Sequence, residues 1–333
     1  MRILVVNQDE VVRLLPMAEC LDVMDAVLRT LARGEALLPL RTIVMLPAQL
    51  GAFGVMPAYL ASPPAIGLKA ITVFPGNQGT AYDSHQGAVL LFDTAHGSLA
   101  AVMDASSITA IRTAAVSGVA TRALARADAG DLALIGTGVQ AMTHLEAMLL
   151  VRPLRRVRAW SRGAENVARF AVEAGRRFGV SVERASSARA AVEGADLICT
   201  TTSSREPVLE GSWIAAGAHV NAVGSSMRNA RELDTAAMKR GALFVDRRES
   251  TLNEAGDFLL ARGEGAFGDD HIRAEVGEVL IGRHPGRGGA AEVTVFKSLG
   301  LAVEDVASAH HIHAAAVRTG AGTWVELGGE RRH

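Results

Sequence analysis

Cysteine is scarce in this chain, and neither sign of charge is in excess. The two cysteines, Cys20 and Cys199, stand far apart among 333 residues. Their spacing matches neither a metal site nor a redox pair, so we expect a reducing compartment and no disulfide framework. The chain carries 34 Lys and Arg against 35 Asp and Glu, a formal net charge of −1. Nucleic-acid binders and polybasic membrane binders depend on a concentrated positive field, so both classes are disfavoured.

Long apolar runs are also missing. A membrane-spanning helix needs about 18 uninterrupted apolar residues, and no stretch of the sequence has that character. The apolar run near the first residue is too short for a signal peptide. We therefore predict a cytoplasmic protein with no nucleic-acid or membrane partner.

Apolar residues nevertheless make up 49% of the chain, which is ample for conventional cores. At about 100–200 residues per domain, the length predicts two domains. The first 114 residues mix a helix with short β-like runs and predict an α+β domain. The helix is expected at residues 21–32, and the strands at 43–46, 65–74, 89–92 and 99–103.

The residue pattern changes after a helical run predicted at residues 107–127. From Asp131 onward, apolar strands alternate with helices, a pattern that predicts βαβ units and a parallel sheet. The predicted strands are 132–135, 157–160, 197–200, 220–223 and 243–245. A last helical run, 301–317, precedes no strand that could extend this sheet, and we expect it to pack on the first domain.

The most specific local signal is a glycine-containing loop after the first of these strands. Gly136-Thr137-Gly138-Val139-Gln140-Ala141 has the pattern G-x-G-x-x-A and opens a helix predicted at 142–151. Glycines allow a tight turn and a close backbone approach to a pyrophosphate, which then lies at the helix N-terminus. The pattern predicts an α/β fold with a Rossmann-type doubly wound parallel sheet at residues 115–300. A second, discontinuous α+β domain is predicted at 1–114 plus 301–333.

The end of the second strand of this domain bears on the choice of cofactor. An NAD-specific fold usually places an acid there, on the ribose 2′-hydroxyl. This chain has Ser161 and Arg162 instead. A hydroxyl and a guanidinium suit a 2′-phosphate, so we predict NADP(H) as the preferred cofactor. Binding of NAD(H) as well stays open, because Arg162 could also be a solvated loop cation.

A series of motifs in the same order resembles the ornithine cyclodeaminase/μ-crystallin family over residues 41–317. The motifs are Gly67-Leu68-Lys69-Ala70, Pro75-Gly76-Asn77, Ser84-His85-Gln86-Gly87, Leu91-Phe92-Asp93, Ile108-Thr109-Ala110-Ile111-Arg112-Thr113-Ala114-Ala115, the glycine loop, and Val295-Phe296-Lys297-Ser298-Leu299-Gly300. The resemblance implies a Rossmann domain, a split domain for substrate binding and dimerisation, and chemistry at the α-carbon of amino or imino acids. A homodimer is expected on this ground, and because short strands would otherwise leave exposed edges.

Two cations are the leading candidates for catalysis. Lys69 lies in the middle of an apolar strand, where an ammonium is costly unless a partner satisfies it. Arg112 lies in a run of small and apolar residues beside the domain junction, where its guanidinium could bind a carboxylate. The resemblance implies a substrate-binding lysine at Lys69, a carboxylate-binding arginine at Arg41, and a pocket wall at Met56. An outward-facing Lys69, a structural ion pair of Arg112, a surface-loop Arg41 and a packing role for Met56 are the alternatives.

The remaining candidates are polar or backbone groups predicted to contact the nucleotide. Ser84 offers a hydroxyl for a cofactor or substrate oxygen, although a plain turn hydroxyl would look the same. The full set of cofactor-binding candidates is Ser84, Thr113, Gly136, Thr137, Gly138, Val139, Gln140, Ser161, Arg162, Thr200, Thr201, Val223, Gly224 and Ser225.

One departure from the resemblance favours a particular reaction. The cyclodeaminases of the family place a proton-transferring Asp shortly after the glycine at position 224, whereas this chain has Ser225 and Ser226. Amine oxidation then lacks its expected base, while reduction of a protonated imine requires chiefly orientation and hydride delivery. We therefore predict an imino-acid reductase in which Ser226 contributes to the catalytic group. A base supplied by water or Asp234 stays open.

Several alternatives stay open at this stage. They are an ornithine cyclodeaminase, an alanine-type dehydrogenase, a hydroxyproline dehydratase, and a crystallin-type protein that binds NADPH and a small molecule without turnover. His310, His311 and His313 do not share one helix face, so no metal site is predicted. The acids Glu254 and Asp257 beside Gly256 are interpreted as loop and cap residues without chemistry.

Overall fold

The computed structural model describes residues 2–77 and 79–329. The chain divides into two compact units: the described residues within Met1–Arg112 and Leu301–His333 form one, and Thr113–Gly300 form the other. The first boundary lies two residues before the one expected from the sequence. A helix that runs unbroken through this boundary, Ala105–Leu124, leaves no sequence signal there.

The strands and helices of the described residues are numbered in chain order. The strands are β1 (Arg2–Val6), β2 (Ala36–Leu37), β3 (Thr42–Met45), β4 (Ala52–Ala61), β5 (Pro64–Val73), β6 (His85–Phe92), β7 (Leu99–Asp104), β8 (Asp131–Ile135), β9 (Arg156–Trp160), β10 (Glu183–Arg184), β11 (Leu197–Thr200), β12 (His219–Ala222), β13 (Ala242–Val245), β14 (Ile272–Glu275), β15 (Thr294–Lys297) and β16 (Thr323–Glu326). The α-helices are α1 (Gln8–Leu14), α2 (Met17–Ala32), α3 (Ala105–Leu124), α4 (Val139–Val151), α5 (Ala164–Phe178), α6 (Ala188–Val192), α7 (Thr235–Arg240), α8 (Arg248–Glu254), α9 (Gly256–Gly263), α10 (Val276–Leu280) and α11 (Ala302–Thr319).

The first unit contains a mixed sheet with helices on it, as an α+β domain should. Its strand order is β16-β1-β7-β6-β5-β4-β2, and β3 pairs with β4. Strands β4, β5, β6 and β7 form an antiparallel meander, whereas β1 runs parallel to β7. Helix α11 packs against β4, β5, β6 and α2 of the first unit, to which it belongs.

Several strands of the first unit were not predicted from the sequence. Strand β16 follows the last helix and pairs antiparallel with β1, so it extends this sheet and not the parallel one. All four of its residues are exposed, so it lacks the buried apolar face that strand patterns rely on. Strands β1 and β4 were also unpredicted. The predicted strands at 43–46, 65–74, 89–92 and 99–103 are confirmed within a few residues.

The second unit contains the predicted parallel sheet. Its order is β10-β9-β8-β11-β12-β15-β13-β14, with every neighbouring pair parallel. The central strands β8, β11, β12 and β13 carry Ile, Leu and Val side chains that are fully buried, because helices cover a sheet of this kind on both faces. From β8, the strands β9 and β10 lie on one side of the sheet, whereas β11 and all later strands lie on the other side. This reversal of strand order at β8 is the doubly wound arrangement predicted from the sequence.

Candidate active site

Strand β5 places Lys69 inside the first unit. Its side chain is 3% exposed, and Nζ lies 2.8 Å from Oδ2 of Asp305 and 3.4 Å from the hydroxyl of Thr109. The alternative of an outward-facing lysine is therefore wrong. Burial of an ammonium is costly, and the carboxylate of Asp305 offsets that cost.

Arg112 lies on α3 and contacts the same carboxylate. Its Nε donates to Oδ1 of Asp305 over 2.9 Å, and its Nη1 donates to Oε2 of Glu304 over 2.8 Å. Both acids are fully buried in the first turn of α11, where the helix dipole stabilises negative charge. Sequence reasoning missed Glu304 and Asp305, since acids in a first helical turn are usually interpreted as capping residues.

The surroundings shift the proton affinities of this cluster. Burial lowers the pKa of Lys69 to about 8, with Asp305 opposing the shift and Arg112 and Arg41 adding to it. Burial opposes ionisation of Asp305, but Arg112 and Lys69 outweigh it and hold the pKa of that carboxyl below its usual range. The cluster therefore contains an ionised acid and an ammonium able to release its proton near neutral pH.

Three other candidates from the sequence have different surroundings. Arg41 precedes β3, is half-buried, and is near enough for its charge to act on Lys69. Met56 on β4 is buried and pairs in register with Lys69, so the two side chains share one face of the sheet. Ser84 places Oγ 3.0 Å from Nδ1 of His85 at the start of β6. The structure thus brings Arg41 and Met56 to the neighbourhood of Lys69.

In the second unit, the glycine loop joins β8 to α4 as predicted. Gly136 has φ +108°, and a Cβ there would lie 2.9 Å from the carbonyl oxygen of Thr201, so glycine is required. Gly138 is the N-cap of α4 and has open space where a Cβ would stand, and Val139 is 63% exposed. The first turn of α4 contains no acid, so its backbone N–H groups suit an anionic pyrophosphate.

Four further candidates in or beside the glycine loop have partners or positions consistent with a nucleotide. Thr137 donates from Oγ1 to Oγ of Ser161 over 3.1 Å, which joins the glycine loop to the end of β9. Arg162 is exposed beside it. Within the described residues, the buried Oε1 of Gln140 accepts no hydrogen bond. The open loop and the exposed cation fit a phosphorylated ligand, and the Gln140 acceptor suits a hydroxyl or amide donor of a nucleotide.

The carboxyl ends of β11 and β12 are tied together by a buried acid that the sequence analysis missed. Glu232 accepts from the hydroxyl of Thr200 over 2.8 Å, from N–H of Thr202 over 2.6 Å and from N–H of Gly224 over 2.6 Å. A Cβ at Gly224 would overlap the carbonyl oxygen of Thr202. Burial and then Asp257 raise the pKa of Glu232. Thr201 and Val223 belong to the same pair of strand ends.

Asp257 and Lys297 support that arrangement. Oδ2 of Asp257 lies 2.8 Å from Nζ of Lys297, and both side chains are fully buried. Asp257 also accepts the N–H groups of Glu232 and Leu233. Lys297 belongs to one of the resemblance motifs. The interpretation of Asp257 as a structural residue agrees with these contacts, although it is a buried ion pair and not an exposed loop acid.

The serines after β12 have unequal surroundings. Ser225 is buried and donates to the carbonyl oxygen of Ala230, whereas Ser226 is exposed. Thr113, another candidate, is buried in α3. Asp234 caps helix α7 by accepting from the N–H of Ala237 and also accepts from Gly211. A carboxylate used as a cap is poorly placed to serve as the substitute base.

Two results concern other kinds of site. Within residues 2–77 and 79–329, no group of three or more His, Cys, Asp or Glu side chains could hold a metal ion. His311 instead places Nε2 3.0 Å from a carboxylate oxygen of Glu19. Among the helices of the described residues, none combines the length and the apolar character that a membrane crossing requires.

The fold and the glycine loop define a dinucleotide-binding α/β protein with a second, mixed-sheet unit that holds a buried pair of cations. The chain belongs to the ornithine cyclodeaminase/mu-crystallin family, whose model matches residues 1–320. This confirms the resemblance seen in the motifs.

Individual members of known function are also similar to the chain. The chain is 44% identical to the ketimine reductase mu-crystallin of Mus musculus over 280 residues, which cover 84% of this chain and 85% of that protein. It is similar to the structure of Δ1-pyrroline-2-carboxylate reductase from Thermococcus litoralis in complex with NADH and L-proline, with TM-score 0.94, 37% identity, and coverage of 96% and 99%. An archaeal alanine dehydrogenase dimer with bound NAD gives TM-score 0.92 and 31% identity, with coverage of 98% and 100%.

Proposed function

We propose that this protein is an NAD(P)H-dependent reductase of small α-imino acids, of the Δ1-pyrroline-2-carboxylate or ketimine type. The observation that carries the proposal is the buried pair of Lys69 and Arg112 beside Asp305. With Arg41 near enough to act on Lys69, three cations face the two buried carboxylates of Glu304 and Asp305. The remaining positive charge suits a small anionic substrate. The prediction of an enzyme acting on carbon–nitrogen double bonds is confirmed by the ketimine and Δ1-pyrroline-2-carboxylate reductases to which the chain is similar.

The proposed reaction adds a hydride to the α-carbon and a proton to the imine nitrogen. A bound nicotinamide nucleotide supplies the hydride. Arg112, with Arg41, binds the substrate carboxylate, and Lys69 hydrogen-bonds to the imine nitrogen. Because burial brings the pKa of Lys69 to about 8, its ammonium can also give up the proton that the nitrogen gains. Met56 beside Lys69 supplies an apolar wall.

Several finer features belong to the same proposal. NADP(H) is the preferred cofactor because Ser161 and Arg162 stand where an acid would favour NAD(H). Gly136–Gln140, the strand ends at Thr200–Thr201 and Val223–Ser225, and the hydroxyls of Ser84 and Thr113 contact the nucleotide. Ser226 takes part in the catalytic group. The protein is a cytoplasmic homodimer. The dimeric state of the archaeal alanine dehydrogenase to which the chain is similar supports the homodimer.

The test compares two reactions of the purified protein. We expect NADPH oxidation with Δ1-pyrroline-2-carboxylate, followed at 340 nm, and negligible release of ammonia and proline from ornithine with NAD+. Lys69→Met should lower kcat/KM at least about a hundredfold, since loss of a charged partner in a dry site costs roughly 3 kcal/mol. Lys239→Met, at an exposed lysine on α7, is the matched control and should retain full activity.

Two outcomes would count against the proposal. Turnover of ornithine without imine reduction would identify a cyclodeaminase and contradict the proposal. Tight binding of NADPH with no turnover of any imino acid in a panel of cyclic and acyclic substrates would instead favour the crystallin-type binding protein.

A further inference from the structure

We propose that Asp305 is a positioning residue whose two carboxylate oxygens hold the ammonium of Lys69 and the guanidinium of Arg112 at one fixed separation. The inference rests on the proposed function, in which these two cations bind the imine nitrogen and the carboxylate of one substrate. Asp305 itself touches neither the substrate nor the reacting atoms in this scheme.

The geometry of the carboxylate supports this role. Oδ2 lies 2.8 Å from Nζ of Lys69, and Oδ1 lies 2.9 Å from Nε of Arg112. A carboxylate is rigid and planar, so an ion-pair contact at Oδ2 and a hydrogen bond at Oδ1 together constrain the distance between the two cations. Lys69 is on β5 and Arg112 on α3, and a single side chain of α11 therefore joins three elements.

Glu304 forms a second ion pair with Arg112. Its Oε2 accepts from Nη1 of Arg112 over 2.8 Å and from the N–H of Leu301 over 3.1 Å. Arg112 is thus bound along two edges of its planar guanidinium. The hydrogen bond to Leu301 also fixes Glu304 at the start of α11. Two cations facing two carboxylates give a balanced cluster, and this lowers the cost of burying all four charges.

The arrangement has an electrostatic consequence at Lys69. The charged and titratable groups that act on its ammonium are Asp305 on α11, Arg112 on α3, Arg41 before β3, and His85 on β6. Among these, Asp305 favours the charged form of Lys69, whereas Arg112 and Arg41 disfavour it. Loss of the Asp305 charge should therefore lower the pKa of Lys69 further and shorten the pH range in which it is protonated.

The experiment uses Asp305→Asn, with Asp25→Asn as the control at a part-exposed ion pair with Arg29 on α2. We expect Asp305→Asn to reduce kcat/KM for Δ1-pyrroline-2-carboxylate at least about thirtyfold at pH 7. The basic limb of its pH profile should move down by about one pH unit or more. The Kd for NADPH, from fluorescence titration, should stay within about twofold of the wild-type value, because the glycine loop is untouched. Asp25→Asn should match the wild type in all three measurements.

The outcomes separate this inference from the proposed function. A folded Asp305→Asn variant with an unmoved basic limb and wild-type kcat/KM would overturn the positioning role alone. A wild-type protein without imine reduction would overturn both. If Asp305→Asn does not fold, Asp305→Glu decides the matter, because it keeps the charge and displaces it by one methylene. We expect that variant to lose about tenfold or more in kcat/KM with its basic limb in place, and full activity would contradict the inference.

Discussion

Arg162 is exposed at the end of β9, next to Ser161, and Ser161 accepts a hydrogen bond from Thr137 of the glycine loop. A guanidinium at this position can bind a phosphate with two parallel hydrogen bonds, whereas a ribose 2′-hydroxyl offers it no charge. The preference between the two nicotinamide cofactors is therefore proposed to depend on one side chain.

We predict that NADPH binds about tenfold or more tightly than NADH, since a hydrogen bond to a charged group contributes roughly 1.5–3 kcal/mol. Arg162→Ala should reduce this preference by weakening NADPH binding alone. Fluorescence titration with both nucleotides measures it, and Arg169→Ala on the exposed face of α5 serves as the control. Equal affinities in the unmodified protein would contradict the prediction.

At the scale of elements, one helix and one strand of the second unit each contain a histidine that is buried and neutral. On α4, His144 contacts the Ser117 hydroxyl at 2.9 Å, and burial lowers the pKa of its imidazole to about 4. On β12, His219 contacts Thr294 of β15 at 2.9 Å, and burial lowers its pKa to about 3. In the unfolded chain both imidazoles recover a pKa near 6.5.

These shifts make the second unit sensitive to acid. Between about pH 6.5 and pH 4 the unfolded chain binds more protons than the folded one, so stability is present above this window and is lost as pH falls through it. The loss at pH 5 should be on the order of 2 kcal/mol for His144. Urea unfolding at pH 7 and pH 5 measures it. His144→Gln should lose less than the wild type over this interval, and His96→Gln, at an exposed ring, should lose as much. An unchanged loss in His144→Gln would refute this account.

At the scale of the whole molecule, strand β3 is exposed along its full length although it carries Ile43, Val44 and Met45. These side chains are 50%, 52% and 69% exposed. Leu37, on the neighbouring β2, is 69% exposed. Apolar side chains grouped on a sheet edge usually mark a surface that another chain covers. The exposed apolar edge of the first unit therefore favours the proposed homodimer.

We predict a mass in solution of twice the 34.9 kDa of one chain, measured by light scattering. Val44→Glu should shift the protein toward the monomer, because a carboxylate in a dry interface lacks a partner. Val172→Glu on α5 of the second unit, where Val172 is 74% exposed, is the matched control and should leave the mass unchanged. A monomer at micromolar concentration for the unmodified chain would contradict the prediction.

The elements that could be predicted from the sequence are those whose signal lies in neighbouring residues. The strands around Leu132, Val157 and Ile198 and the glycine turn at Gly136 follow from apolar runs and backbone geometry. Strands β10, β14 and β15 were missed. A two-residue strand and a strand of sequence Ile-Arg-Ala-Glu have almost no local pattern, and β15 has only four residues, Thr-Val-Phe-Lys. Short edge strands form when a neighbour pairs with them, which local sequence does not report.

The candidate site also has a part that the sequence predicts and a part that only the tertiary structure decides. The amino-acid sequence by itself determined the parallel sheet, the glycine turn after its first strand, and the presence of cations at Lys69 and Arg112, because apolar periodicity, glycine spacing and motif order are local properties. Folding determined which carboxylates meet those cations. Asp305 lies 193 residues from Arg112 along the chain and yet 2.9 Å away in space. A buried charge is stable only beside an opposite charge, and that pairing exists only after α11 packs against the sheet of the first unit.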